Sequence, residues 1–343
     1  MNRHNRAARV GITAILLALL LRLWEAGVPN KVLSWLKEPN TAAFLIYLET
    51  GRDVRFSASQ EVFWEYAPES AAPWVPPKPA EPEPVQETEP ALPAFSPSDT
   101  ELTELYYACS LRPDLEALLS QPLSWNLMQE EPAVLILHTH TTESYTRQDE
   151  PYAETSDYRT LDENYNMLSI GSRVAEILSE QGIAVIQDRK LHDYPSYNGS
   201  YNDARKSIQT YLKEYPGIRL ILDLHRDAID TTDGQLRTLA EVNGQTAAQL
   251  MLVMGTDASG LTHDNWQENL SLALKLQAQL ERQNPGITRP TLLRGQRFNQ
   301  DLHPGMLLVE VGAAGNSRGE ALLAAEALAY AIVALARGTQ PSP

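Results

Sequence analysis

From about residue 100 onward, apolar and polar positions alternate in blocks. Residues 132–137 (PAVLIL), 183–186, 218–224 (IRLILDL), 249–254 (QLMLVM) and 306–311 (MLLVEV) are short, nearly continuous apolar runs. Runs of this length, bounded by polar residues, predict buried strands. Residues 164–181 place Met167, Ile170, Val174, Ile177 and Leu178 at helical spacing and close on Gly182, which predicts a glycine-capped helix. Residues 201–215, 265–283 and 319–336 predict three more helices, the first two stopped by Pro216-Gly217 and Asn284-Pro285-Gly286. Strands alternating with helices predict an α/β fold, a mostly parallel central sheet with flanking helices in three layers. In such sheets the site lies at the carboxyl ends of the strands.

The chain before residue 100 follows no such alternation. Arg3, Arg6 and Arg9, with no acid among them, precede the apolar run VGITAILLALLL at 10–21, which is closed by Arg22, Leu23 and Trp24. A basic stretch before an apolar run predicts an export signal. The run is shorter than the roughly 20 residues of a spanning helix, but Leu23 and Trp24 extend it if Arg22 snorkels to the interface. No small-residue cleavage site follows. Residues 1–25 are therefore expected to be an uncleaved, single-pass anchor, with the remainder outside the cytoplasm; a cleaved signal peptide is the other reading. Residues 26–70 read as a juxtamembrane stub. Residues 71–98 hold nine prolines, interleaved with Glu81, Glu83, Glu87 and Glu89, so 71–100 is an extended Pro/Glu-rich linker. The head is residues 101–343.

Composition narrows the function classes. The 343 residues carry 44 acidic and 28 basic side chains, a net charge of −16, which excludes a protein that wraps nucleic acid. One cysteine, Cys109, excludes a disulfide framework and a CxxC zinc knuckle. It reads as an apolar filler.

Three apolar strands run into ionisable residues. The first exits into His138-Thr139-His140-Thr141-Thr142-Glu143-Ser144-Tyr145, and another into Asp223-Leu224-His225-Arg226-Asp227. The last carries Glu310 and exits through Gly312-Ala313-Ala314-Gly315-Asn316. Such groups cost desolvation unless something uses them. Imidazole and carboxylate suit a catalytic zinc site with water in the open position. His140 and His225 are the first two candidate ligands. Glu310 is the candidate general base, and Arg226 the candidate oxyanion stabiliser. Plainer roles compete: His-x-His on one strand face could bond a neighbouring loop, and Glu310 could pair with Arg226. Ser144 lacks a GxSxG elbow. His192, His263 and His303 are expected on surface loops, with His303 bordering the site.

The strings LILHTHTTESY (135–145), DENYNMLSIGSRVAEIL (162–178), LILDLHRDA (220–228) and RFNQDLHPGMLLVEVG (297–312), with Asn316, resemble the stage II sporulation protein P family over about residues 101–337. The resemblance implies a zinc-dependent N-acetylmuramoyl-L-alanine amidase. Some members of the family also cut peptidoglycan cross-links. It implies an outward-facing wall hydrolase of forespore engulfment, working beside stage II sporulation proteins D and M. It makes His140 and His225 zinc ligands and Glu310 the catalytic carboxylate. The third ligand is Asp162, placed by Asn166, or else Glu143, which could instead act in catalysis or substrate binding. The chain has Gly312-Ala313 where the family usually has paired glycines, and Ser317 where Thr is common. An endopeptidase using the same site, and a wall-binding scaffold with an altered site, are the competing readings.

Overall fold

The computed structural model describes residues 97–123, 125–146, 154–155, 158–232 and 234–338. The expected anchor, the stub and residues 71–96 of the linker lie outside the described residues. After a 3-10 turn at Pro97–Leu102 come β1 (Leu105–Tyr107), α1 (Leu115–Ser120), β2 (Val134–Leu137), α2 (Met167–Glu180), β3 (Val185–Gln187), α3 (Ser200–Glu214) and β4 (Leu220–Asp227). Two small hairpins follow, β5 (Asp230–Thr231) with β6 (Gly234–Gln235), and β7 (Leu239–Val242) with β8 (Gln245–Ala248). Then come β9 (Leu250–Gly255), α4 (Trp266–Gln283), β10 (Thr291–Arg294), β11 (Met306–Ala313) and α5 (Arg318–Arg337).

The central sheet has seven strands in the order β1-β10-β9-β11-β4-β2-β3. Every neighbouring pair is parallel except β9 with β11. The α/β expectation holds, with one antiparallel seam the sequence pattern did not foretell. Its cause is local. A parallel return needs a crossover, usually a helix. The segment between β4 and β9 is spent on hairpins instead, and the chain re-enters the sheet reversed.

The buried strands follow from their composition. All four residues of β2 are buried, as are Leu220 to Arg226 of β4. Such unbroken burial needs cover on both faces. One face packs against α1, α2, α4 and α5, whose core includes Leu119, Ile170, Leu274 and Leu328. The opposite face of β2, β3 and β4 packs on α3 through Leu135, Leu137, Ile186, Ile221, Ala204 and Ile208. Each fully buried Leu or Ile contributes on the order of 1.5–3 kcal/mol.

Helix ends are fixed by side chains close to the strand exits. Asn166 caps α2, its Oδ1 accepting from the Leu168 N–H at 3.0 Å. Ser317 and Glu320 form a reciprocal capping box at the start of α5. α5 is the one helix among the described residues long and apolar enough to cross a membrane, and it is largely buried in the fold.

Candidate functional site

The sheet order makes β2, β4 and β11 neighbours, so the three polar exits share one edge. Glu310 stands beside His225 in the parallel register. The His140 ring lies 5.2 Å from the His225 ring, centroid to centroid and perpendicular to it. Glu143 reaches the same point, its Oε2 3.6 Å from His225 Nδ1. The structure therefore gathers His140, His225, Glu143 and Glu310.

The two histidines of the first exit part company because β2 ends at Leu137. His138 turns under α2, where its Nδ1 lies 3.0 Å from Leu224 O and its Nε2 3.3 Å from Gln187 Nε2. A Cβ on Gly171 would come within 2.5 Å of that ring, so α2 needs glycine there to pack so closely. His140 instead faces α3, with Ser200 Oγ 3.3 Å from Nδ1 and Tyr197 Oη 3.2 Å from Nε2. The Tyr197 ring stacks on it at 4.5 Å.

The electrostatics of the cluster are uneven. Burial pushes both His138 and His140 down to about 4. His225 is buried too, but the carboxylates of Asp223, Glu143 and Glu310 overcome the desolvation and raise it to about 10. Burial opposes ionisation of Asp223 as well, yet His225 and hydrogen bonds from Thr139 N–H (2.8 Å) and Oγ1 (2.6 Å) bring it down to about 2. Burial raises Glu310 to about 8. A negative field that holds a proton on His225 equally favours a metal cation there. His225 Nε2 sits 3.0 Å from Asp223 Oδ1, and its Nδ1 is the nitrogen turned toward Glu143. Glu310 Oε2 is buried and has no hydrogen-bond partner among the described residues.

Two imidazoles and a carboxylate are a donor set that suits zinc in kind. Among the described residues, however, no three His, Cys, Asp or Glu side chains are already drawn together as a metal cage. Asp162 does not join the cluster. It is exposed, and its Oδ1 accepts from Asn164 N–H at 3.0 Å and Asn164 Nδ2 at 2.9 Å, an Asx turn leading into α2. Glu143 takes the place beside His225.

Arg226 is also placed differently from the expectation. It follows His225 on β4, so its side chain leaves from the other face. There it donates to Ser144 O (2.9 Å) and Tyr158 O (2.8 Å) and lies 3.6 Å from Glu143 Oε1. It holds the Glu143 loop, and Glu310 is not its partner. His192 and His263 are buried, not surface residues. His192 Nε2 lies 3.0 Å from Asp188 Oδ2. His303 is partly buried and accepts from Gly305 N–H at 2.9 Å, tightening the turn before β11. Cys109 packs partly buried against the core.

The departure at Ala313 is benign for the backbone. Gly312 carries the left-handed φ of +71°, and a Cβ there would meet Ala248 Cβ at 2.8 Å. Ala313 needs no such freedom. Its N–H donates to Asn316 Oδ1 at 3.0 Å. Asn316 also accepts from Thr238 N–H and donates to Thr238 O, pinning the exit of β11 to the hairpin segment.

Sequence reasoning missed Arg159, Tyr197 and Tyr201. Arg159 Nη2 donates to Glu143 Oε1 at 3.2 Å, and the guanidinium sits 4.8 Å over the Tyr197 ring. The Tyr201 ring lies 6.5 Å from His225, nearly parallel to it. All three are separated from the motif strings by loops or helix ends.

A sequence model of the stage II sporulation protein P family matches residues 76–333. The chain belongs to this family. It is 27% identical over 259 residues to the stage II sporulation protein P of Bacillus subtilis (strain 168), which covers 69% of this chain and 61% of that protein. Among solved structures, the CwlD amidase from Clostridioides difficile in complex with the GerS lipoprotein is similar at a TM-score of 0.38 and 17% identity, covering 60% of this chain and 95% of that one. An N-acetylmuramoyl-L-alanine amidase from Clostridium difficile 630 has a TM-score of 0.34 and 16% identity, covering 60% of this chain and 96% of that one. An N-acetylmuramyl-L-alanine amidase from Mycobacterium smegmatis has a TM-score of 0.36 and 15% identity, covering 62% and 98%. These structural likenesses assign no residue role and no activity to this family member.

Proposed function

We propose that the chain is a peptidoglycan hydrolase that cleaves the N-acetylmuramoyl–L-alanine amide, with zinc held by His140, His225 and Glu143. One observation carries the reading: Glu310 Oε2 is buried with no hydrogen-bond partner among the described residues, on the strand beside His225 and next to His140 and Glu143. Buried polar atoms left without partners cost free energy and persist where something binds or reacts. Family membership supports the wall as the substrate and sporulation as the setting.

When bound, zinc supplies Lewis-acid activation of water and of the scissile carbonyl. Glu310 moves the proton: Oε2 takes it from the attacking water and delivers it to the amide nitrogen as the carbon–nitrogen bond breaks. Burial raises Glu310 to about 8, which favours its holding the proton until the amide nitrogen receives it. Asp223 orients His225 from behind, and Thr139 holds Asp223. Arg159 and Arg226 hold Glu143 from two sides.

The basic and apolar residues 1–25 support a single-pass anchor at the cell membrane with the head outside. The same reading puts the protein in forespore engulfment, with stage II sporulation proteins D and M as partners and stem-peptide cross-links as a second substrate of the same site. The test is metal replacement on purified sacculi. Hydrolysis should stop with chelator and return with zinc; hydrolysis that survives complete chelation overturns the zinc assignment.

A further inference from the structure

Amide hydrolysis passes through a tetrahedral intermediate with negative charge on the former carbonyl oxygen. A hydrogen-bond donor aimed at that oxygen is worth about 10²–10³ in rate. Arg226 is tied to Ser144 O and Tyr158 O instead. Other donors round the cluster are committed as well. Thr139 Oγ1 donates to Asp223 at 2.6 Å and Thr142 Oγ1 to Asp193 at 2.7 Å. Ser200 Oγ and Tyr197 Oη lie against the two ring nitrogens of His140.

Tyr201 differs from all of these. It is the second residue of α3, and α3 is seated on the sheet through Ala204 and Ile208. Its ring meets both candidate histidine ligands, edge-on to His140 at 5.6 Å and nearly parallel to His225 at 6.5 Å. Tyr201 is only partly buried, and among the described residues its hydroxyl has no hydrogen-bond partner. Burial, with Asp223, Glu310 and Glu143 facing the ring, pushes the phenol up, so the group is a neutral O–H donor at working pH.

The surroundings fix this ring in place. Asn299 Nδ2 donates to Tyr201 O at 2.8 Å, and the Phe298 ring lies 6.1 Å from that of Tyr201. Arg205, one turn further along α3, grips Asp301 through both terminal nitrogens, at 2.9 and 2.7 Å. Phe298 and Asn299 both hold left-handed φ values, +51° and +60°. Such backbone is costly for residues other than glycine and persists where the surroundings enforce it. A strained segment is thus spent on bracing the one aromatic ring that touches both histidines with a free hydroxyl.

We infer that Tyr201 is a catalytic residue whose O–H donates to the oxygen of the scissile amide as negative charge develops there. The inference rests on the amidase reading above and adds to it the group that holds the oxygen. No bond forms or breaks at Tyr201; its proton stays on the phenol oxygen, and Glu310 keeps the proton transfer to the leaving nitrogen.

Tyr201→Phe in the full, zinc-loaded chain tests it, because it removes the hydroxyl and leaves the ring contacts. On a synthetic muramoyl tripeptide, kcat should fall about 10²–10³-fold with KM within about twofold. Zinc content and melting temperature should match the parent. Calorimetry supplies a readout independent of turnover. A muramoyl peptide with a phosphinate in place of the scissile amide mimics the tetrahedral centre, and it should bind Tyr201→Phe about tenfold or more weakly than the parent. The intact tripeptide should bind Glu310→Gln equally well with and without Tyr201→Phe. Parent-like kcat and phosphinate affinity in Tyr201→Phe overturn the assignment. Loss of zinc or of melting temperature in Tyr201→Phe overturns it too, by making the hydroxyl structural. A zinc-loaded parent that neither cuts the tripeptide nor binds the phosphinate overturns the amidase reading itself.

Discussion

The two faces of β4 have very different surroundings. Toward the four-helix side, His138, Arg226 and Lys275 are tied up. His138 contacts Leu224 O and Gln187, Arg226 donates to Ser144 O and Tyr158 O, and on α4 Lys275 Nζ donates to Leu118 O (2.8 Å) and Ser271 Oγ (2.7 Å). Toward α3, Glu310 Oε2 is buried with no hydrogen-bond partner among the described residues, and His225 lies between the carboxylates of Asp223 and Glu143. His138, Arg226 and Lys275 on the first side work as packing pieces that bond to nearby backbone and side-chain atoms. The ionisable groups on the second side are held in place and left open. Residue type alone does not separate the two sides: His138 contacts Leu224 O, whereas His225 lies between the carboxylates of Asp223 and Glu143.

The contrast can be broken most sharply at Glu310. Glu310→Gln should lower the rate of fragment release from sacculi by about 10²–10⁴, the usual worth of a positioned acid–base group. Its melting temperature should hold or rise, because the neutral amide avoids the burial penalty that raises the Glu310 carboxyl to about 8. Undiminished release would move proton transfer to another residue. The matching change on the closed side is His138→Ala. It should cost about 2–4 kcal/mol in urea unfolding, from two lost polar contacts and the space left under α2. Zinc content of the folded variant should be unchanged. A stable His138→Ala protein that loses zinc would erase the distinction between the faces.

A pH series probes the closed side in another way. Burial lowers Lys275 from 10.5 to about 8. Between those values the unfolded chain binds the extra proton and the folded chain does not. Unfolding free energy should therefore rise with pH across that window, by up to about 3 kcal/mol relative to Lys275→Met. Parallel urea titrations at pH 7.5 and 10.5 check this, and equal pH slopes in the two proteins would contradict it. The smallest effect is expected at Asp162. Asp162→Ala should leave zinc affinity unchanged, whereas Glu143→Ala should lower it. Competition with a fluorescent chelator measures both, and the reverse ranking would restore Asp162 as the third ligand.

How far the site was legible follows the same physics. β2, β4, β9 and β11 are buried on both sides over most of their length and read as apolar runs. β1 and β10 were missed because three or four residues, half of them facing outward, leave no periodic signal. His140, His225 and Glu310 stood out because ionisable groups directly follow apolar strands. Tyr197 and Tyr201 reach His140 and His225 only because α3 starts over that sheet edge, and neither stands at a strand exit. His192 and His263 read as loop histidines, yet both segments are buried. Asp162 rested on resemblance alone, and the Asx turn it makes is a local device that sequence spacing does not distinguish from metal ligation.

The central claim is that Glu310 and the His140–His225–Glu143 cluster cut the wall at its glycan–peptide amide. Mass spectrometry of soluble fragments released from purified sacculi by the zinc-loaded chain tests it most directly. The account predicts free stem peptides with an unblocked L-alanine amino terminus, absent when Glu310→Gln is used. No release, or release only of fragments cut within the peptide cross-links, would contradict it.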